Sequence, residues 1–327
     1  MILMNLGTPE APNKSAVKAF LKEFLSDHRV VEIPRLVWLP ILYGIILPFR
    51  PRRVVNGYRQ IWTQEGSPLE VITRRQASAL AETLSAGRCA SESNEAGSVS
   101  CVTYAMTYGK PTLKQRVAEL SGAGVDRILL LPLYPQYSAT TTAAVYDQYA
   151  SLILNSRNIP DIVIHKHYYE RADYIDALAD SIQQFWQRSG RSERLLLSFH
   201  GIPQRCVDLG DPYYDQCRLT SFALIERLGL NPDQWAFSFQ SRLGSARWLQ
   251  PYTDQILLEW AKSGVNSVDV ICPAFSADCL ETIEEIDAEN KQRFLEAGGK
   301  SFNFIPCLND SEKHILMMAN LVKEYTE

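Results

Sequence analysis

Residues 195–201 read Leu195-Leu196-Leu197-Ser198-Phe199-His200-Gly201, an apolar run that stops at a single imidazole. A short continuous apolar run bounded by a turn residue is the pattern of a strand covered on both faces, and the glycine lets the backbone turn away at once. Parallel sheets flanked by helices bind ligands beyond the carboxyl ends of their strands, so His200 sits where such a sheet does its chemistry. A histidine that merely hydrogen-bonds its own loop would leave the same trace. The choice between the two rests on the rest of the chain.

The strand, loop, helix rhythm recurs throughout. Strands are expected over residues 2–6, 99–106, 127–133, from 162, over 195–199, 236–239, 267–272 and 302–306, and helices over 14–25, 74–84, 112–122, 174–187, 215–228, 253–263, from 278, and over 311–325. LLLPLYPQYSA at 129–139 and VDVICPAFSAD at 268–278 occupy similar positions in this series. The expected fold is therefore α/β, with two similar doubly wound domains, parallel sheets and an active-site cleft between them. The first domain is expected to cover 1–158 and the second 159–310, with 311–327 a C-terminal helix free to pack across to the first.

At 327 residues the chain can bury two medium cores. Its 46% hydrophobic and 21% charged residues argue against disorder. With 33 Lys and Arg against 37 Asp and Glu, the net charge of −4 offers nucleic acid no general attraction. MILMNLGTPEAP lacks the basic and long apolar regions of a secretory signal, which predicts a cytoplasmic protein. The 7 cysteines form no Cys-x-x-Cys pair, so reduced thiols are expected rather than a disulfide framework or structural zinc. Residues 85–98, rich in Ser, Gly, Ala and Glu, read as a surface loop, and a monomer is expected.

The most apolar stretch, LVWLPILYGIILPF at 36–49, is cut by Pro40, Gly44 and Pro48 and is too short to span a bilayer. It reads either as a core helix hairpin or as a peripheral membrane contact through Trp38, Ile41, Leu42, Tyr43, Ile45 and Ile46. Downstream, Arg50, Arg52, Arg53 and Arg59 stand close to Tyr58 and Trp62, a grouping that suits a flat ligand bearing carboxylates as well as it suits a solvated face.

No Gly-x-Gly-x-x-Gly, Gly-x-x-x-x-Gly-Lys-Ser/Thr or Gly-x-Ser-x-Gly motif occurs, which leaves nucleotide binding and α/β-hydrolase chemistry unsupported. The helix expected from Asp278 is more informative. On a wheel of ~100° per residue, Asp278, Glu281, Glu285 and Glu289 share one sector, opposite Leu280, Ile283, Ile286 and Phe294. A capping box accounts for Asp278 and Glu281, and a solvated face accounts for Glu285 and Glu289. A histidine at one strand end and a carboxylate row starting at another would instead form an N/O site for a borderline divalent metal, without the third imidazole of a closed cage. Tyr134, Tyr137, Trp248 and Phe275, in loops around it, suit a large flat apolar ligand.

The stretches NLGTPEAP, QEGSPL, TYGKPTL, LLPLYPQYSATTTAA, LLLSFHGIPQRCVDLGDPYYDQC, FSFQSRLGSARWLQPYTDQ and CPAFSADCLETIEEI span nearly the whole chain and closely resemble the ferrochelatases, which insert ferrous iron into a porphyrin. The resemblance implies that protoporphyrin IX and Fe2+ are the substrates and protoheme the product. It places the catalytic histidine of the S-[FY]-H-G motif at His200, the acidic partner of D-x-x-E-T at Glu281, a metal path at Glu285 and Glu289, and the ring-packing aromatic at Trp248. Leu6, Tyr134, Tyr137, Phe275 and Arg59 are the remaining porphyrin candidates. Cys279 stands where some members have a histidine. Some members carry an iron-sulfur cluster on extra cysteines, often in a C-terminal extension, whereas here only Cys307 lies near the end, so no tightly bound cofactor is expected. A cobalt chelatase acting on a tetrapyrrole and a coproporphyrin ferrochelatase are the alternative readings.

Overall fold

The computed structural model describes residues 1–86, 101–244 and 246–326. From residue 87 onward, the stretch expected as a surface loop lies outside the described residues, as do Cys89 and the start of the strand expected at 99. Two compact units are present, one comprising Met1–Leu133, Ser138–Lys166 and Ile315–Glu327, the other Tyr134–Tyr137 and His167–His314.

The first unit holds β1 (Ile2–Asn5), β2 (Thr103–Met106), β3 (Arg127–Pro132) and β4 (Asp161–Ile164) in a parallel sheet of order β2-β1-β3-β4. The second holds β5 (Arg194–His200), β6 (Trp235–Gln240), β7 (Ser267–Ile271) and β8 (Ser301–Ile305) in the order β6-β5-β7-β8. The topology is the same one written twice, as the echo between 129–139 and 268–278 implied. The domain limits differ from expectation. β4 pairs in register with β3, Arg127 opposite Asp161 and Leu130 opposite Ile164, so it is the last strand of the first sheet and the first unit runs to Lys166 rather than 158. Sequence rhythm marks where a strand starts but not which sheet it joins.

Both sheets are covered by helices, and their cores are correspondingly apolar. Ile2, Met4, Ala105, Ile128, Leu130 and Val145 cluster in the first unit. Leu196, Leu257, Val268, Val270, Ile286 and Phe294 cluster in the second. The glycine ending β1 is required sterically: Gly7 has φ +105°, and a Cβ there would fall 1.8 Å from the carbonyl oxygen of Tyr108.

The apolar 36–49 stretch is neither wholly core nor wholly surface. It forms a helix (Arg35–Ile41), a π-turn (Leu42–Ile46) and the start of a helix (Leu47–Ile61). Leu42 and Leu47 are buried, whereas Leu36 is 92% exposed and Val37, Tyr43, Ile45 and Phe49 also face solvent. No described helix is long and apolar enough to cross a membrane.

Candidate active site

β5 lies inside its sheet, between β6 and β7, and Leu195, Leu196, Leu197 and Phe199 are buried. The strand order reverses between β5 and β7, making their carboxyl ends the switch point at which open α/β sheets bind ligands. His200 is the last residue of β5, and the loop after β7 carries Phe275. Their ring centroids are 6.3 Å apart. Tyr213 Oη donates to the main-chain oxygen of His200 at 2.9 Å, which fixes the strand end from below.

The His200 ring has a defined tautomer. Nδ1 lies 2.7 Å from the carbonyl oxygen of Gly201, and a carbonyl has no proton to give, so Nδ1 carries the hydrogen. In the neutral ring Nε2 is then the nitrogen with the lone pair, which can accept a proton or bind a metal. Gly201 is needed here for close approach rather than for a turn. Its N–H donates to Gln240 O at 2.8 Å, and a Cβ would meet that oxygen at 2.7 Å and the Trp248 ring at 3.4 Å. Trp248 thus packs against Gly201, the residue after the histidine, held by its indole N–H on Leu243 O at 3.0 Å and by a bridge to Pro203.

The acidic segment departs from the expected α-helix: Glu281–Asn290 is a π-helix that continues as an α-helix over Lys291–Glu296. Bonding of i to i+5 turns successive side chains through a smaller angle, and π segments are rare and frequently found at functional sites. The carboxylates consequently separate in role. Asp278 is buried and structural, accepting from Thr282 Oγ1 (3.1 Å), Cys307 N (3.2 Å) and Asn309 Nδ2 (2.7 Å), an arrangement other than the expected capping box. The main-chain oxygen of Glu281 accepts from Gln240 Nε2 at 2.8 Å, and its carboxylate lies against the Cys279 thiol.

Glu285 accepts from Ser241 N at 2.7 Å and from Ser241 Oγ. Burial raises the pKa of Glu285, the Ser241 hydrogen bonds and the neighbouring His200 oppose that rise, and Glu281 adds to it. The carboxylate is therefore desolvated and in the electrostatic field of both His200 and Glu281. Glu289, 42% exposed and 3.5 Å from Arg293, stands at the solvent end of the row. Among the described residues no group of three or more His, Cys, Asp or Glu side chains is arranged to hold a metal ion.

Tyr134 and Tyr137 flank Gln136, and this segment is bound to the helix Tyr213–Leu228 by Gln136 Nε2 to Thr220 Oγ1 (3.0 Å) and Gln216 Oε1 from Tyr137 N (2.7 Å). Leu6 and Arg59 belong to the first unit, Leu6 just beyond β1 and Arg59 exposed with Nε on Pro12 O at 3.3 Å. Gln240 and Ser241 were not singled out in the sequence. Their signal was the same as that of His200, since Gln240 ends β6 directly opposite His200 in the register.

The fold is that of the chelatases. The structure of SirB from Bacillus subtilis with Fe3+, a sirohydrochlorin chelatase, matches with a TM-score of 0.55 at 14% identity over 80% of this chain and 92% of that one. The particular family follows from sequence: the family model Ferrochelatase matches residues 1–326. The Acinetobacter baylyi ferrochelatase is 47% identical over 100% of this chain and 94% of that protein. The Aeromonas hydrophila ferrochelatase is 48% identical over 98% of this chain and 97% of its own. The chain belongs to the ferrochelatase family. It is an enzyme that inserts iron into a porphyrin in heme synthesis.

Proposed function

We propose that the substrates are ferrous iron and protoporphyrin IX, and that His200, Glu281 and Glu285 handle the metal and the displaced protons. The observation that carries this reading is His200 at the switch point of the sheet, with Nδ1 on Gly201 O and the desolvated Glu285 carboxylate within its electrostatic field. The reaction joins Fe2+ to a macrocycle whose two inward N–H groups each lose a proton, giving protoheme and two protons. A planar porphyrin hides its nitrogen lone pairs, so binding it in a bent form between aromatic rings lowers the barrier. Trp248 and Phe275 supply such rings. His200 Nε2 accepts a pyrrole proton or holds the entering iron, and Glu281 and Glu285 offset the charge of the cation in a site where water does not. Glu289 is the outer end of this acidic path.

The same reading includes a cytoplasmic monomer and no iron-sulfur cluster. Burial above all pushes the thiols of Cys272, Cys279 and Cys307 well above their ordinary pKa, which favours neutral thiols over the thiolates a cluster needs. The solvent-facing Leu36, Val37, Tyr43, Ile45 and Phe49 support a peripheral membrane contact. The test is to mix the protein anaerobically with Fe2+ and either protoporphyrin IX or coproporphyrin, with Co2+ as a parallel metal, and to follow the metalloporphyrin spectrum. Iron insertion into protoporphyrin IX at the highest kcat/KM is expected. A clear preference for coproporphyrin or for cobalt would overturn the assignment in favour of the corresponding alternative.

A further inference from the structure

Ser241 is one of two non-glycine residues among those described with positive φ, at +66°. For a residue with a Cβ this conformation is unfavourable, and it persists where the surroundings hold it. Here it turns the Ser241 N–H and hydroxyl toward one carboxylate, N–H to Oε1 and hydroxyl to Oε2 of Glu285. Gln240, immediately before it, is fixed from the sheet interior. Ser198 Oγ donates to Gln240 Oε1 at 2.7 Å and is itself 2.8 Å from Thr253 Oγ1, which is 2.8 Å from Ser238 Oγ. Because Ser198 spends its proton on Gln240, Thr253 donates to Ser198 and Ser238 to Thr253. Three hydroxyls thus point the same way and polarise one amide. The Nε2 of that amide reaches Glu281 O at 2.8 Å and Glu285 Oε2 at 3.5 Å.

We propose that Ser241, in its left-handed backbone conformation and braced by the Gln240 amide, is a positioning residue that holds the Glu285 carboxylate at the geometry in which it receives iron and passes it to His200. The inference rests on the functional reading of Glu285 given above. Ser241 touches neither reacting atom in this arrangement and acts through Glu285, whose orientation in a π-helix would otherwise be one rotamer among several.

The test is a set of variants, Ser241→Ala, Ser241→Gly, Glu285→Gln and Ser241→Ala/Glu285→Gln, assayed for KM of Fe2+, KM of porphyrin and kcat. Ser241→Ala is expected to raise the KM for iron about tenfold, the effect of one hydrogen bond to a charged group, with the KM for porphyrin unchanged. Ser241→Gly relaxes the backbone and so unfolds at the same or higher temperature, yet it should show the same loss. The double variant should be no worse than Glu285→Gln, because the hydroxyl then has no carboxylate to hold. Normal iron kinetics in Ser241→Gly, or losses that add in the double variant, would overturn the positioning role while leaving the reading of Glu285 intact. A Glu285→Gln enzyme with wild-type iron kinetics would overturn both.

Discussion

The imidazole of His200 and the ring of Phe275 lie 6.3 Å apart at 59° because β5 and β7 are parallel neighbours, with Leu197 opposite Ile271, and both leave the sheet at the same edge. One side of the imidazole is thus apolar and aromatic. The ring also lies in the electrostatic field of the Glu285 carboxylate, which is pinned to Ser241. A flat macrocycle and a hydrated cation need these two environments together.

Replacing His200 by Ala should abolish iron insertion while leaving the fold intact. The side chain is half-buried at a strand end and its ring bonds Gly201 O, so the loss is about 1 kcal/mol, a shift of about 2–4 °C in Tm. Heme formation and a thermal melt check both halves, and wild-type turnover by the variant would remove His200 from the mechanism.

Trp248→Ala should weaken porphyrin binding or admit unproductive planar binding, read as a raised KM for porphyrin or a lowered kcat with unchanged iron dependence. Gly201→Ala probes the same contact from beneath. Its Cβ would lie 2.7 Å from Gln240 O, so the ends of β5 and β6 must separate, costing about 1–3 kcal/mol. If porphyrin affinity and turnover are untouched in Trp248→Ala, the indole is only packing.

The placement of His200 and Phe275 at neighbouring strand ends is legible from spacing alone. His200 and Phe275 follow apolar runs that read as strands, and the rule about strand ends does the rest. Gln240 follows the same rule but gives no chemical signal in the sequence, because an amide's role depends on its partners, here Ser198 and Glu281, 42 and 41 residues away. The π-helix could not be read, because Ile286 and Phe294 satisfy an α-helical wheel and a short run at the other pitch. Nor could the pairing that gives β4 to the first sheet, since register depends on which neighbour is present.

Acid should destabilise the fold through His314. It is fully buried, with Nδ1 on Asn309 O at 2.7 Å, and burial lowers its pKa to about 4 from the usual 6.5. Between those values the unfolded chain holds a proton that the native state does not. Stability is therefore complete above about pH 6.5 and falls as pH drops toward about 4, by up to about 3 kcal/mol. His314→Gln keeps a donor for Asn309 O and should flatten this part of the curve. Identical pH slopes in urea unfolding of wild type and variant would show that His314 does not drive it.

The acidic row is tested most directly by titrating Fe2+ at saturating porphyrin in Glu281→Gln and in the Glu285→Gln/Glu289→Gln double variant. If these carboxylates deliver iron to His200, the double variant should lose turnover at limiting iron and recover at high iron, with porphyrin affinity unaltered. Glu281→Gln should be more severe at every concentration, since it removes the charge of the proposed acidic partner of His200. Removing the buried Glu285 charge should also leave the double variant no less stable than wild type, because burial had raised that carboxyl's pKa. Full activity of the double variant across the whole iron titration would contradict delivery along this helix.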